Sequence, residues 1–139
     1  MKNEIKFTVQ YDVPLHEVWK AISTKEAISE WLMPCTIEAV VGNKFQFKTK
    51  PFPGFNGIID CTVLEVVEKQ LLSFSWSGGS LKKTKVSFKL KELESKTILE
   101  FEHSGFEGLL NKIIVRKILS NGWKTKILPV LLRKYLEKK

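Results

Sequence analysis

TILEFEHSGFEGLLNKII, residues 97–114, is where the pattern of this chain changes. Up to Ser104 the side chains alternate. Thr97, Leu99, Phe101 and His103 fall on one face and Ile98, Glu100, Glu102 and Ser104 on the other, as in a half-buried strand. Beyond Gly105 and Gly108 the alternation gives way to aliphatic residues at helical spacing, so a strand passes through a glycine turn into a long helix expected over Leu109–Leu136. Leu110, Ile114 and Ile118 make one stripe of that helix. Trp123, Ile127 and Leu131, with Leu128, Leu132 and Tyr135 beside them, make a second. The stripes are out of phase, which predicts a bend or a fresh helix start at Asn121-Gly122 and a milder kink at Pro129.

Working back from that point, the chain is rich in period-two segments. Residues 4–11, EIKFTVQY, alternate strictly and read as a first strand. Asp12 and Pro14 then signal a helix start, Leu15, Val18, Trp19 and Ile22 recur at helical spacing, and Ser23-Thr24 caps a second short helix ending before Pro34. Strands are expected at Thr36–Val41, Lys44–Lys50, Gly57–Lys69, Leu71–Trp76, Lys85–Leu93 and Thr97–Ser104, which with the first gives about seven. The connections are short, so the strands are antiparallel. PFPGFNG, residues 51–57, reads as an irregular loop. These elements define an α+β protein in which a curved antiparallel sheet grips one long C-terminal helix, and such an arrangement tends to enclose a cavity.

A length of 139 residues fits a single domain spanning 1–139. Neither a signal peptide nor a membrane-spanning apolar run is visible, which makes the cytoplasm the expected location. Cys35 and Cys61 stand apart from each other and from the two histidines, so reduced structural thiols are expected, with no metal site and no cofactor. The net charge of +8 is localised: residues 111–139 carry nine basic side chains against Glu137, whereas residues 1–110 carry fourteen of each sign. An electrostatic partner is therefore expected at the C-terminal segment.

Six motifs, VPLHEVWKAI (13–22), EWLMP (30–34), VGNKFQF (41–47), LLSFSW (71–76), TILEFEHSGF (97–106) and GWKTKILPVLLRKYL (122–136), occur in an order that resembles the helix-grip superfamily. That superfamily includes START domains, birch-pollen-allergen-like proteins and polyketide cyclases. The branch the chain most resembles is that of the activator of the heat-shock-protein ATPase. The resemblance spans nearly the whole chain and implies a helix-grip fold with a cavity. It also implies three functions to weigh: binding of a small apolar or amphipathic ligand, docking as a co-chaperone-like module on a heat-shock ATPase, and cyclase or dehydratase chemistry.

The aromatic residues carry the first of these. Trp31, Phe45, Phe47, Phe74, Trp76, Phe88, Phe101 and Trp123 come from elements that surround the space between sheet and helix, and Phe52 and Phe55 lie in a loop placed to act as its lid. His103, on the concave face after Leu99 and Phe101, is a ligand-contact candidate; its alternative is a ring satisfied by a backbone carbonyl or by the terminal helix. A His103-Ser104 dyad is disfavoured because neighbours in a strand point to opposite faces. Asp60, expected to be partly buried, and His103 are the acid-base candidates for the enzyme reading; the commoner alternative for Asp60 is a strand-edge carboxylate bonded to a turn or a lysine. Lys112, Arg116, Lys117 and Lys124 fall on one side of an ideal helix and are the candidates for contact with a chaperone, another acidic protein surface or lipid phosphates; the alternative, favoured for most of them, is a solvated outer face. Nucleic acid is disfavoured, because no recognition motif accompanies the charge. The oligomeric state, monomer or dimer, is left open by the sequence.

Overall fold

The computed structural model describes residues 4–138. Six antiparallel strands, β1 (Glu4–Tyr11), β2 (Lys44–Lys48), β3 (Ile58–Val67), β4 (Leu71–Gly78), β5 (Leu81–Leu93) and β6 (Lys96–Ser104), form one open, curved sheet in the order β1-β6-β5-β4-β3-β2. Five of the six are joined in sequence by short connections, from β2 to β6. Two helices, α1 (Leu15–Ser23) and α2 (Lys25–Trp31), separate β1 from β2 and carry the chain from one edge of the sheet to the other. The pairing shifts between Val63 and Glu65 in β3 and between Trp76 and Gly78 in β4. Such irregularities bend a strand and increase its twist.

The expected strand Thr36–Val41 does not form, which is why there are six strands and not seven. Alternation is present there, with Cys35 and Ile37 buried and Thr36 and Glu38 exposed. The backbone, however, is committed elsewhere. Thr36 Oγ1 accepts the Gln46 N–H at 3.2 Å, Asn43 Oδ1 accepts the Glu38 N–H at 2.9 Å, and the Val40 N–H turns back to the Glu38 carbonyl at 2.7 Å. Short polar side chains that capture nearby backbone groups offer the chain an alternative to a ladder. A single bridge, Cys35 to Phe47, is all that remains of the pairing.

The terminal helix runs without a break over residues 109–137. Asn121 and Gly122 keep right-handed helical dihedrals, so the bend or restart expected there does not occur. Instead the helix widens to π geometry over Asn111–Val115 and Gly122–Leu132, with α-helical turns at Arg116–Asn121 and Arg133–Glu137. Pro129 sits inside the second π stretch. The buried residues of that stretch, Trp123, Leu128 and Leu132, follow the wider spacing, beginning with a five-residue step. The two apolar stripes are out of phase because they face different media. Leu110, Ile114 and Ile118 point to solvent, whereas Trp123 is buried and Ile127 and Leu131 pack against the core.

Side chains pin this helix to the sheet. The Tyr11 hydroxyl donates to the Leu128 carbonyl at 2.7 Å, and burial pushes its phenol well above the ordinary range. The Arg133 guanidinium lies over the Tyr11 ring, 5.1 Å from its centroid, while its Nη1 donates to the Gln10 carbonyl. At the other edge Trp31 Nε1 donates to the Ala21 carbonyl at 2.9 Å, locking α2 against α1. The result is the helix-grip arrangement: one curved sheet, one long helix and a shared core between them.

Candidate functional site

The space between sheet and helix divides into a filled half and an open half. The filled half is a ring-on-ring stack. Phe45 meets Phe47 and Phe74 at centroid separations of 5.5 and 5.3 Å, Phe88 meets Phe101 at 5.4 Å, and Phe101 meets Trp123 at 4.5 Å. Phe74 to Phe88, at 6.2 Å, joins the two groups. All six side chains are buried. Tilted and edge-on pairs of this kind each add about 0.5–1.5 kcal/mol beyond their burial.

His103 closes the stack. An indole N–H can only donate, and Trp123 Nε1 lies 3.3 Å from His103 Nδ1, so that nitrogen is the acceptor. The ring proton of the neutral imidazole therefore sits on Nε2 and is donated to Thr84 Oγ1 at 2.8 Å. The Thr84 hydroxyl passes its own proton to the Trp76 carbonyl at 2.6 Å. A directional chain thus runs from the terminal helix through β6 and β5 to β4. The imidazole is completely buried, with Trp76 and Phe106 centroids 5.4 and 4.8 Å away, and burial lowers its pKa to about 3. At neutral pH it is uncharged with both nitrogens engaged, the arrangement of a strut between helix and sheet.

The open half is a cavity of about 550 Å³ at the other end of the same interface. Its floor is Ile59 of β3, Trp76 and Gly78 of β4 and Leu81 of β5. The terminal helix supplies Val115, Ile118, Leu119, Trp123 and Ile127, and Met33 and Thr49 close one side. Its cap is the loop that follows β2. As its prolines and glycines require, that loop forms neither helix nor strand, and within it Phe52 and Phe55 exchange backbone hydrogen bonds at 2.9 and 2.8 Å around Pro53-Gly54. Pro at the second turn position and Gly at φ +88° in the third are the requirements of a tight type II turn. The two phenylalanine rings stack 5.1 Å apart. At the base of the loop Thr49 N–H donates to the Gly57 carbonyl at 2.8 Å, and Gly57, at φ +84°, has no room for a Cβ, which would lie 2.5 Å from the Thr49 carbonyl oxygen.

Of the residues singled out for ligand binding, Phe55, Trp76 and Trp123 line this cavity. Phe45, Phe47, Phe74, Phe88, Phe101 and His103 belong to the filled half, and Trp31 is buried behind α1. Met33, Ile59, Leu81, Val115 and Leu119 line the cavity without having been singled out; the helical ones carried a signal, since Val115, Leu119, Trp123 and Ile127 recur every four residues. Asp60, expected to be partly buried, is exposed instead. Its β3 neighbours Ile59 and Cys61 take the inward positions, so Asp60 points out and accepts a hydrogen bond from Gln46 Nε2 at 2.8 Å. Burial pushes the Cys35 thiol up to about 11 and the Cys61 thiol higher still, so both are protonated packing groups.

Arg116, Lys117 and Lys124 are brought together along a shallow groove on the outward face of the terminal helix, with Ile113, Ile114 and Ile118. Lys112 is half-buried one turn before Arg116, whose Nε donates to the Lys112 carbonyl at 2.8 Å. No helix among the described residues is long and apolar enough to cross a membrane, and no cluster of side chains there could hold a metal ion.

A curved sheet gripping one helix, with a cavity beneath a turn at the sheet edge, places the molecule among the helix-grip proteins. Residues 12–137 match the family described as activator of Hsp90 ATPase homolog 1-like protein, and the chain belongs to that family. Among solved structures it is similar to protein MLL2253 from Mesorhizobium loti, with a TM-score of 0.85, 24% identity and coverage of 98% of each chain. It is also similar to protein BH1534 from Bacillus halodurans, at 0.80, 29% and 96% of each chain. PFC0360w from Plasmodium falciparum, described as an HSP90 activator, has the same fold at 0.73, 18% and 92% of each chain. No curated protein sequence matches the chain.

Proposed function

We propose that the protein binds a small apolar or amphipathic molecule in the cavity between β3–β5, the Phe52–Phe55 turn and the terminal helix. The observation that carries this reading is the cavity itself: about 550 Å³, within the size range of small-molecule sites, and lined by side chains none of which is ionisable. Its polar groups are Thr49, Ser80 and the backbone at Gly78 and Gly79, enough to orient an amphipathic head but without an acid or base. The buried His103, held neutral with both nitrogens occupied, supplies neither. Binding is thus better supported than cyclase or dehydratase chemistry.

The test is titration calorimetry with lauric acid on the parent and on Leu119→Trp, which fills the cavity from the helix side. Binding by the parent and its loss in the variant, with the melting temperature retained, is the expected result. Equal binding by both places the ligand elsewhere. A second reading, docking on an Hsp90-type chaperone, is favoured by the family match. It predicts faster ATP hydrolysis by an Hsp90 when the protein is added, and an unchanged rate removes it.

A further inference from the structure

The outward ridge of the terminal helix is apolar where a solvated helix would be polar. Leu110, Ile114 and Ile118 are 60, 50 and 65% exposed, and Leu109 and Ile113 stand exposed beside them. This is a contiguous patch of aliphatic side chains, and such patches mark interaction sites. Lys117 and Lys124 are exposed along the same groove, with Arg116 at its side, and none of the three forms an ion pair with a described residue. All the excess positive charge of the chain lies within residues 111–139, and the four basic residues of 109–124 account for half of it.

Two features tell which surface would cover it. The ridge presents aliphatic groups rimmed by long cationic side chains, and residues 109–136 carry no acidic side chain, the composition of a helix that lies in an anionic headgroup layer. Ile118 also belongs to both places. It lies on the ridge and lines the cavity, and Phe52, 63% exposed, lines the cavity from the opposite side. The cavity therefore opens on the same side as the apolar ridge.

We infer that this ridge docks on the surface of an anionic phospholipid bilayer, with Leu110, Ile113, Ile114 and Ile118 entering the interface, Lys117 and Lys124 meeting lipid phosphates, and the cavity mouth facing the membrane. Docking is independent of what fills the cavity; the use of that position to load an apolar ligand rests on the ligand-binding reading.

The experiment is co-sedimentation with vesicles of phosphatidylcholine containing phosphatidylglycerol, beside vesicles of phosphatidylcholine alone, at low and physiological salt. The full chain is expected to sediment with the anionic vesicles, less so as salt rises, and to remain in solution with the neutral ones. Lys117→Glu/Lys124→Glu is expected to weaken partition at least tenfold, since each basic residue near such a surface contributes separately. Leu110→Ser/Ile114→Ser, which replaces no residue lining the cavity, is expected to lose vesicle binding while keeping lauric acid binding, so failure of docking and failure of the cavity reading are separable. Absence of sedimentation with anionic vesicles, equal sedimentation with both kinds, or retention by the serine variant overturns the inference, and the first of these leaves the ridge to an acidic protein surface.

Discussion

The two ends of the interface between sheet and helix are built from the same kinds of residue and reach opposite outcomes. At one end Phe88, Phe101, Trp123 and His103 fill the space and leave no polar atom unpartnered among the described residues. At the other, Trp123 turns its remaining surface, with Trp76, Val115 and Leu119, to an unfilled cavity. The difference lies in what approaches from the sheet edge. Inward-facing rings on β5 and β6 meet Trp123 of the helix at the first end, whereas Gly78, Gly79 and Ser80 approach at the second and have little side chain to offer. A buried aromatic core thus fixes the helix firmly enough for a cavity to persist beside it.

The largest effect should come from breaking the sealed end. Phe101→Ala removes a fully buried ring that touches Phe7, Phe88 and Trp123, and should cost about 3–5 kcal/mol of unfolding free energy in denaturant titrations. Ile118→Ala at the open end should change stability by no more than about 0.5 kcal/mol, as expected for an exposed position. Equal losses at the two would erase the distinction.

His103 makes the sealed end sensitive to acid. Its folded pKa of about 3 lies below the ordinary histidine value, so the unfolded chain binds the extra proton first as pH falls. The stability it supplies is complete above about pH 6.5 and is lost progressively as pH drops towards 3, an effect on the order of a few kcal/mol. The lowered carboxyls of Glu65 and Glu100, each bonded to a hydroxyl or lysine, act in the same direction, so the comparison must be with His103→Gln. That variant should be less stable at neutral pH and show a flatter decline between pH 6.5 and 4 by denaturation at each pH; a parallel decline removes His103 as the cause.

At the open end, Gly57→Ala places a Cβ against the Thr49 carbonyl at a φ that favours glycine. A cost of about 1–3 kcal/mol and weakened lauric acid binding are expected, read by thermal melts and calorimetry. Smallest of all should be Asp60→Asn, on the outer face, with stability changed by less than about 0.5 kcal/mol and lauric acid affinity unaltered. A large loss of binding there would move the site to the convex face.

Much of this was legible in the sequence where one periodicity acts alone. The alternation through Thr97, Leu99, Phe101 and His103 correctly sets the inward face of β6, since all four are buried. The alternation of Ile59, Cys61 and Val63 places Asp60 outside just as clearly, and the expectation of a half-buried carboxylate set that signal aside. Thr36–Val41 failed for a different reason, because Thr36 and Asn43 side chains take backbone groups that a ladder would need. In the terminal helix two stripes compete, and apolarity alone does not say which faces the core. Leu110, Ile114 and Ile118 make as good a core stripe by pattern as Trp123, Ile127 and Leu131. The cavity was harder still, since its lining comes from separate elements that only the folded chain brings together.

Confinement of apolar binding to the open end can be read from the four tryptophan indole N–H signals in nitrogen-15 NMR spectra during titration with lauric acid. Trp76 and Trp123 line the cavity, while Trp19 and Trp31 belong to α1 and α2. Saturable shifts at Trp76 and Trp123 with Trp19 and Trp31 unmoved are the predicted result. Shifts confined to Trp19 or Trp31, or no shift at any of the four at millimolar lauric acid, would contradict it.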